Sequence, residues 1–198
     1  MAEGRIMKAL SGFYYVQSGE KLYVCKGRGL FRKQKITPLV GDLVVFDKSA
    51  DSEGYIQEMM PRKTELSRPP IANVDQAMIV SSVNMPPFSS LLLDRFLVFI
   101  ESKQIQPIII INKVDLADEQ ELKMIKEFKA IYEKVGYHVL LFSARDSAQM
   151  IDIKSLFNDK ITVFAGQSGV GKSSILNAIK PSLTLETAHI SKSLGRGR

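Results

Sequence analysis

One cysteine in 198 residues, Cys25, excludes an internal disulfide and cannot by itself hold tetrahedral zinc. Long hydrophobic runs are missing too: Phe96–Ile100 and Ile108–Ile111 fall far short of the roughly 18–20 apolar residues that span a bilayer. The opening Met-Ala-Glu-Gly-Arg lacks the charged-then-apolar layout of a secretory signal. No internal repeat or low-complexity tract stands out, and no Asp occurs after Ser173. The chain is 45% apolar and 24% charged, which is the globular range and excludes a disordered or collagen-like protein. We therefore expect a cytoplasmic protein with no membrane contact, long enough for one full domain and a small module.

The net charge of +6 is unevenly placed. Residues 1–70 carry 12 Lys/Arg against 8 Asp/Glu, residues 71–160 carry 10 against 12, and residues 161–198 carry 5 against 1. Two basic ends thus flank an acidic middle. This suits a polyanionic partner and more than one functional surface.

Residues 4–66 read as β structure, with Arg5–Leu10, Phe13–Gln17, Lys21–Lys26, Asp42–Asp47 and Tyr55–Met60 as short strands between turn residues. Five such strands in about 60 residues predict a small barrel of the oligonucleotide-binding kind. We expect the barrel over 1–67 and a short stiff connector over 68–73, because Arg68-Pro69-Pro70 interrupts both helix and ladder. From residue 74 to 198 the rhythm changes. Strands at Val74–Val83, Pro107–Ile111, Tyr137–Phe142 and Ile161–Ala165 alternate with helical patterns at Ser89–Lys103, Ala117–Val135, Met150–Phe157 (weakly) and Lys172–Ile179. That alternation predicts a parallel sheet with helices on both faces.

Gly166-Gln167-Ser168-Gly169-Val170-Gly171-Lys172-Ser173 fits the phosphate-loop pattern, between an apolar strand and a helix that continues with Ser174. Glycines let the backbone wrap closely around phosphate, and amide N–H groups at the helix start point at the anion. Lys172 is placed to stabilise charge on the β- and γ-phosphates, and the Ser173 hydroxyl to meet Mg²⁺. A second motif, Asn112-Lys113-Val114-Asp115, follows the apolar strand Ile108–Ile111, at the strand end where such sheets bind ligands. A carboxylate at Asp115 can accept both N1–H and the 2-amine of guanine, whereas adenine leaves it unpaired. Lys113 would lie over the purine, and Asn112 would tie this segment to the phosphate loop. The plainer reading is a strand-to-helix turn with Asp115 or Asp118 as the helix cap. Ser143-Ala144, after the next strand, would place the Ala144 N–H near guanine O6.

In Ras-like GTPases the phosphate loop comes first, whereas here it comes last. With a barrel in front, that order resembles the RsgA (YjeQ/YloQ) family of circularly permuted GTPases. Further matches lie at residues 27–32, 38–42, 68–70, 73–76, 93–96 and 190–198. The resemblance implies an OB-fold barrel followed by an α/β, circularly permuted P-loop GTPase domain. It also implies GTP hydrolysis in late maturation of the 30S subunit, coupled to release from it. The GTP-binding residues so implied are Asn112, Lys113, Val114, Asp115, Ser143, Ala144 and Gly166 to Ser174, with Lys172 as the charge-stabilising catalytic residue and Ser173 as the Mg²⁺ ligand. In relatives the chain continues past the point matching Arg198 into switch I, the Mg²⁺-orienting Asp, the water-orienting residue and the zinc ligands. We therefore expect an incomplete sheet in this chain, with Ile161–Ala165 as an open edge. We also expect the 198 residues to be a fragment or trimmed at a mobile switch, with a genuinely short product as the alternative, and structural zinc to be held outside them. His138 and His189 match no catalytic position.

Lys26–Lys35 holds five basic residues, Phe31 and no acid. Lys26, Arg28, Arg32, Lys33 and Lys35 suit phosphate tracking along 16S rRNA, with Phe31 as a base-stacking position. The alternative is a solvated loop with Phe31 tucked into the barrel. Cys25 reads as a barrel-core residue, and the chain as a monomer. Two other functions stay open on the residues alone. One is an RNA-binding module that GTP and GDP regulate without useful turnover. The other is an ATP-using phosphotransferase, since a phosphate loop does not choose the base.

Overall fold

A computed structural model describes residues 1–27, 29, 31, 36–47, 53–143 and 153–179 of the chain. The chain divides into two units, Met1–Val74 and Asp75–Arg198.

In the first unit, strands β1 (Ala2–Leu10), β2 (Phe13–Ser18), β3 (Lys21–Gly27), β4 (Leu43–Asp47) and β5 (Glu53–Met59) close into a barrel in the order β1-β2-β3-β5-β4. All neighbours are antiparallel except β3 and β5, and β1 pairs with β4 to shut the barrel. Period-two alternation points Ile6, Val16, Cys25, Val44, Phe46 and Ile56 inward, where each is fully buried. Cys25 is therefore a core residue, and burial pushes its thiol up to about 11. Phe31 is only 7% exposed and packs in the same core, so its ring is not offered to a base. That removes it from the stacking candidates: its apolar area is worth more inside the barrel than on a basic surface. Lys26 lies on the barrel, with Nζ 5.3 Å from the Phe13 ring centroid. The other basic candidates, Arg28, Arg32, Lys33 and Lys35, lie outside the described residues.

Residues 68–73, read as the connector, carry a hairpin turn and a strand. β6 (Glu65–Ser67) pairs antiparallel with β7 (Pro70–Ala72). Pro70 opens a three-residue edge strand, a position where its missing N–H costs no ladder bond. Behind the hairpin, Asp42 is fully buried and receives Arg62 in bidentate fashion, Nε to Oδ1 at 2.7 Å and Nη2 to Oδ2 at 2.8 Å. The Leu39 amide adds a bond to Oδ2 at 2.7 Å. The same Arg62 donates to Glu65 at 2.8 Å, and the Asp42 bond, ahead of burial, sets its guanidinium above the ordinary range.

In the second unit, β8 (Gln76–Ser82), β9 (Gln106–Asn112), β10 (His138–Phe142) and β11 (Thr162–Ala165) form a four-stranded parallel sheet ordered β10-β9-β8-β11. Among the described residues β11 is an edge strand. The run Ile108–Ile111 is buried along its whole length because both sheet faces are covered. Met78, Val80, Ile108 and Ile110 pack on one side with Phe142, Val170 and Ile175. Ile79, Ile109 and Ile111 alternate to the other side. Helix α1 (Ser90–Ser102) buries Leu93, Leu97 and Ile100, and helix α2 (Glu119–Val135) buries Ile125 and Tyr132. Ser89 caps α1 through the Leu92 amide. Asp118, not Asp115, caps α2, in a capping box with Glu121. Residues 114–116, expected just outside that helix, form a 3₁₀ turn. A third helix, α3 (Lys172–Ile179), follows the phosphate-loop sequence. Of the weak helical pattern at 150–157, only residues 153–155 are helical, and 150–152 lie outside the described residues. None of the described helices is long and apolar enough to cross a membrane.

Candidate functional site

Because all four strands of the second unit run parallel, their carboxyl ends lie at the same end of the sheet. Ser82, Asn112, Phe142 and Ala165 end the four strands, and Ser82 stands opposite Asn112 in register. The segment 112–115, Ser143 and residues 166–173 all follow directly from these ends. An open parallel sheet binds ligands there.

The phosphate-loop residues turn away from β11 on three glycines with positive φ: Gly166 at 138°, Gly169 at 82° and Gly171 at 99°. At two of these positions a side chain would force a neighbour to move. A Cβ on Gly166 would lie 2.2 Å from the Val80 carbonyl oxygen, and one on Gly171 would lie 2.2 Å from Asn112 Nδ2. The loop is thus pressed against β8 and against the 112–115 segment, which favours glycine at both positions. Val170 is buried beneath the loop, while Gln167 and Ser168 are exposed. Lys172 and Ser173 open α3, so the amides of its first turn lack helical partners and carry the positive end of the helix dipole. Lys172 Nζ donates to the Gly166 carbonyl at 2.9 Å and to the Gln167 carbonyl at 2.6 Å. Burial lowers its pKa, and an anion against the ammonium would act in the opposite direction.

Asn112 and Lys113 reach across to this loop. Asn112 is buried, and its Nδ2 donates to the Val170 carbonyl at 2.8 Å. Lys113 sits in left-handed backbone, φ 66°, and its Nζ donates to the carbonyls of Gly169 at 2.7 Å and Met85 at 2.6 Å. Burial lowers the Lys113 pKa, and the nearby Asp115 carboxylate opposes that in part. Asp115 and Val114 lie on the 3₁₀ turn, and the Asp115 side chain is exposed. Ser143 is buried just past β10, and Ala144 lies outside the described residues. His138 is exposed at the start of β10, and His189 is outside the described residues.

Sequence reasoning missed the loop between β8 and α1. Its Met85 carbonyl receives Lys113, and its Val83 amide donates to the Asn112 carbonyl at 3.2 Å. No local motif marks residues 83–85, because their partners lie about thirty residues downstream.

Such a loop, lysine and helix start define a P-loop nucleotide-binding domain, here with the segment at 112–115 ahead of the phosphate loop in the chain. Residues 59–198 match the family model described as RsgA GTPase, residues 3–56 match the RsgA N-terminal domain, and the chain belongs to the RsgA GTPase family. It is 63% identical over 198 residues to the small ribosomal subunit biogenesis GTPase RsgA 2 of Oceanobacillus iheyensis, covering all of this chain and 68% of that protein. It is 55% identical over 203 residues to the small ribosomal subunit biogenesis GTPase RsgA of Bacillus subtilis, again covering all of this chain and 68% of that one. Among solved structures it is similar to YloQ, described as a circularly permuted GTPase. The TM-score is 0.82 at 55% identity, over 92% of this chain and 65% of that one. YjeQ from Thermotoga maritima superposes with a TM-score of 0.87 at 37% identity, over 94% of this chain and 68% of that one. The chain therefore spans about two thirds of the length of these relatives, and slightly less of YloQ.

Proposed function

We propose that this chain binds GTP and GDP at the shared strand ends and hydrolyses GTP to GDP and phosphate. The reaction would serve late maturation of the small ribosomal subunit in the cytoplasm, with hydrolysis coupled to release from the subunit. One observation carries the nucleotide site. Asn112 and Lys113 both bond to phosphate-loop carbonyls, at 2.8 and 2.7 Å, so the base-reading segment and the phosphate loop act as one rigid unit. The family and the names of the relatives support the reaction and its setting.

In this reading Asp115 accepts N1–H and the 2-amine of guanine, the Lys113 stem covers the purine face, and Ser143 with Ala144 completes the base contact. The loop amides and the start of α3 hold the phosphates. Lys172 stabilises the charge that develops on the transferring phosphoryl group. Ser173 offers a hard hydroxyl oxygen at the helix start, which fits Mg²⁺. When bound, that ion supplies charge neutralisation across the β- and γ-phosphates. The barrel contacts 16S rRNA, with Lys26, Arg28, Arg32, Lys33 and Lys35 as phosphate contacts, and the chain acts as a monomer.

The test is single-turnover GTP hydrolysis with and without small ribosomal subunits. Phosphate release stimulated by the subunits is the expected result. Tight GDP binding with no hydrolysis above background, subunits present, would overturn the enzymatic reading and leave a nucleotide-regulated binding module.

A further inference from the structure

The loop that sequence reasoning missed carries one side chain placed to act on base recognition from behind. Asn84 Nδ2 donates to the Leu116 carbonyl at 2.8 Å and to Glu121 Oε2 at 3.3 Å. Leu116 ends the 3₁₀ turn that bears Asp115, and Glu121 is the capping-box residue of α2, its Oε2 accepting the Asp118 amide at 3.0 Å. One amide group therefore joins the end of the base-reading turn to the start of the helix behind it. Both partners are acceptors, so the orientation of the Asn84 amide is set by chemistry: its NH₂ must face them.

The same loop grips the segment at two further points. The Val83 amide holds the Asn112 carbonyl, and the Met85 carbonyl holds Lys113 Nζ. Phe88 anchors the far end of the loop on α2, its ring 4.9 Å from that of Phe128. Residues 112–116 need this restraint, because Lys113 lies in left-handed backbone that a non-glycine residue adopts at a cost. The buried side-chain oxygens with no hydrogen-bond partner among the described residues are Asn84 Oδ1 and Asn112 Oδ1. Asn112 opens this segment, and Asn84 is bonded to its end.

We propose that Asn84 is a positioning residue for base recognition: it fixes the turn carrying Asp115 so that the carboxylate meets the base in one orientation. The side-chain hydrogen bonds of Asn84 among the described residues go to the turn carrying Asp115 and to α2, so its effect falls on the base before the phosphates. The inference rests on the guanine reading of residues 112–115.

The test compares the unaltered chain with Asn84→Ala and Asn84→Asp, using fluorescent GDP, competing inorganic pyrophosphate as a base-free probe, and thermal melting. Asn84→Asp is the sharper variant. It keeps the shape but sets a carboxylate against the Leu116 carbonyl and the Glu121 carboxylate. Loss of one hydrogen bond predicts GDP affinity about fivefold to tenfold weaker in Asn84→Ala, and weaker still in Asn84→Asp. Pyrophosphate affinity should stay within about twofold in both. Unchanged GDP affinity in both variants would overturn the proposal. So would a parallel loss of GDP and pyrophosphate affinity with a lowered melting temperature, since that marks a residue that only holds the fold. Competition of GDP against ADP on the unaltered chain separates the two levels. If that chain does not prefer GDP, the guanine reading fails, and the role of Asn84 fails with it.

Discussion

Gly171→Ala should cripple nucleotide binding while leaving the fold in place. Two costs fall on this one methyl group. The backbone of Gly171 has φ 99°, and an L side chain held in left-handed backbone costs about 1–2 kcal/mol. The new Cβ would also lie 2.2 Å from Asn112 Nδ2, well inside contact distance. Asn112 would have to leave its 2.8 Å bond to the Val170 carbonyl, and orphaning a buried partner costs about 1–3 kcal/mol. Together these make the phosphate-receiving geometry of the loop about 2–5 kcal/mol costlier; the free chain relaxes away from it, GDP must restore it, and at ~1.4 kcal/mol per decade the low end is about 30-fold in GDP affinity. Fluorescent-GDP titration reads the loss, with a thermal melt run in parallel. Gly136→Ala is the matched control. Gly136 ends α2 with φ 111° and nothing within 4 Å of an added Cβ, so the variant carries the backbone strain alone. It should lower stability and leave GDP affinity unchanged. A Gly171→Ala protein that binds GDP within about twofold of the unaltered chain would refute the coupling of loop and base reader, because the strain and the lost bond together exceed that margin.

Other outcomes follow from the same geometry. Asp115→Asn should weaken GDP and favour xanthosine diphosphate, whose 2-oxo group meets the new amide; unchanged GDP binding with no gain for xanthosine diphosphate would exclude Asp115 as the guanine reader. Lys172→Ala removes a charged donor from the phosphates and should weaken GDP by about 10–100-fold, measured in the same titration. Arg62→Ala leaves the fully buried Asp42 carboxylate uncompensated and should cost about 3–5 kcal/mol in denaturant unfolding. Adding Asp42→Asn should return part of that loss.

Much of this architecture was legible in the residues, for identifiable reasons. The run Ile108–Ile111 is apolar without alternation because both faces of β9 are buried, so the parallel sheet could be read directly. The phosphate loop was legible because its glycines and Lys172 have fixed roles in one short stretch. Helix α2 starts at Glu119 and not at Ala117 because Asp118 and Glu121 form a capping box, a four-residue signal that was present in the sequence. The hairpin at 65–72 was hidden because Pro69-Pro70 reads as a break, although an edge strand accepts Pro at its first position. Phe31 could have been a stacking ring or a core ring by sequence, and only closure of the barrel decides between them. Asn84 was invisible because its partners lie 32 and 37 residues further along the chain.

The central claim is that residues 112–115 and 166–173 form one guanine nucleotide site. Competition against fluorescent GDP by unlabelled GTP, GDP, ATP and ADP tests it most directly. Displacement by GTP and GDP at far lower concentrations than ATP and ADP is the predicted result. Equal displacement by the adenine nucleotides would contradict the claim, since it would leave a phosphate loop with no base reader beside it.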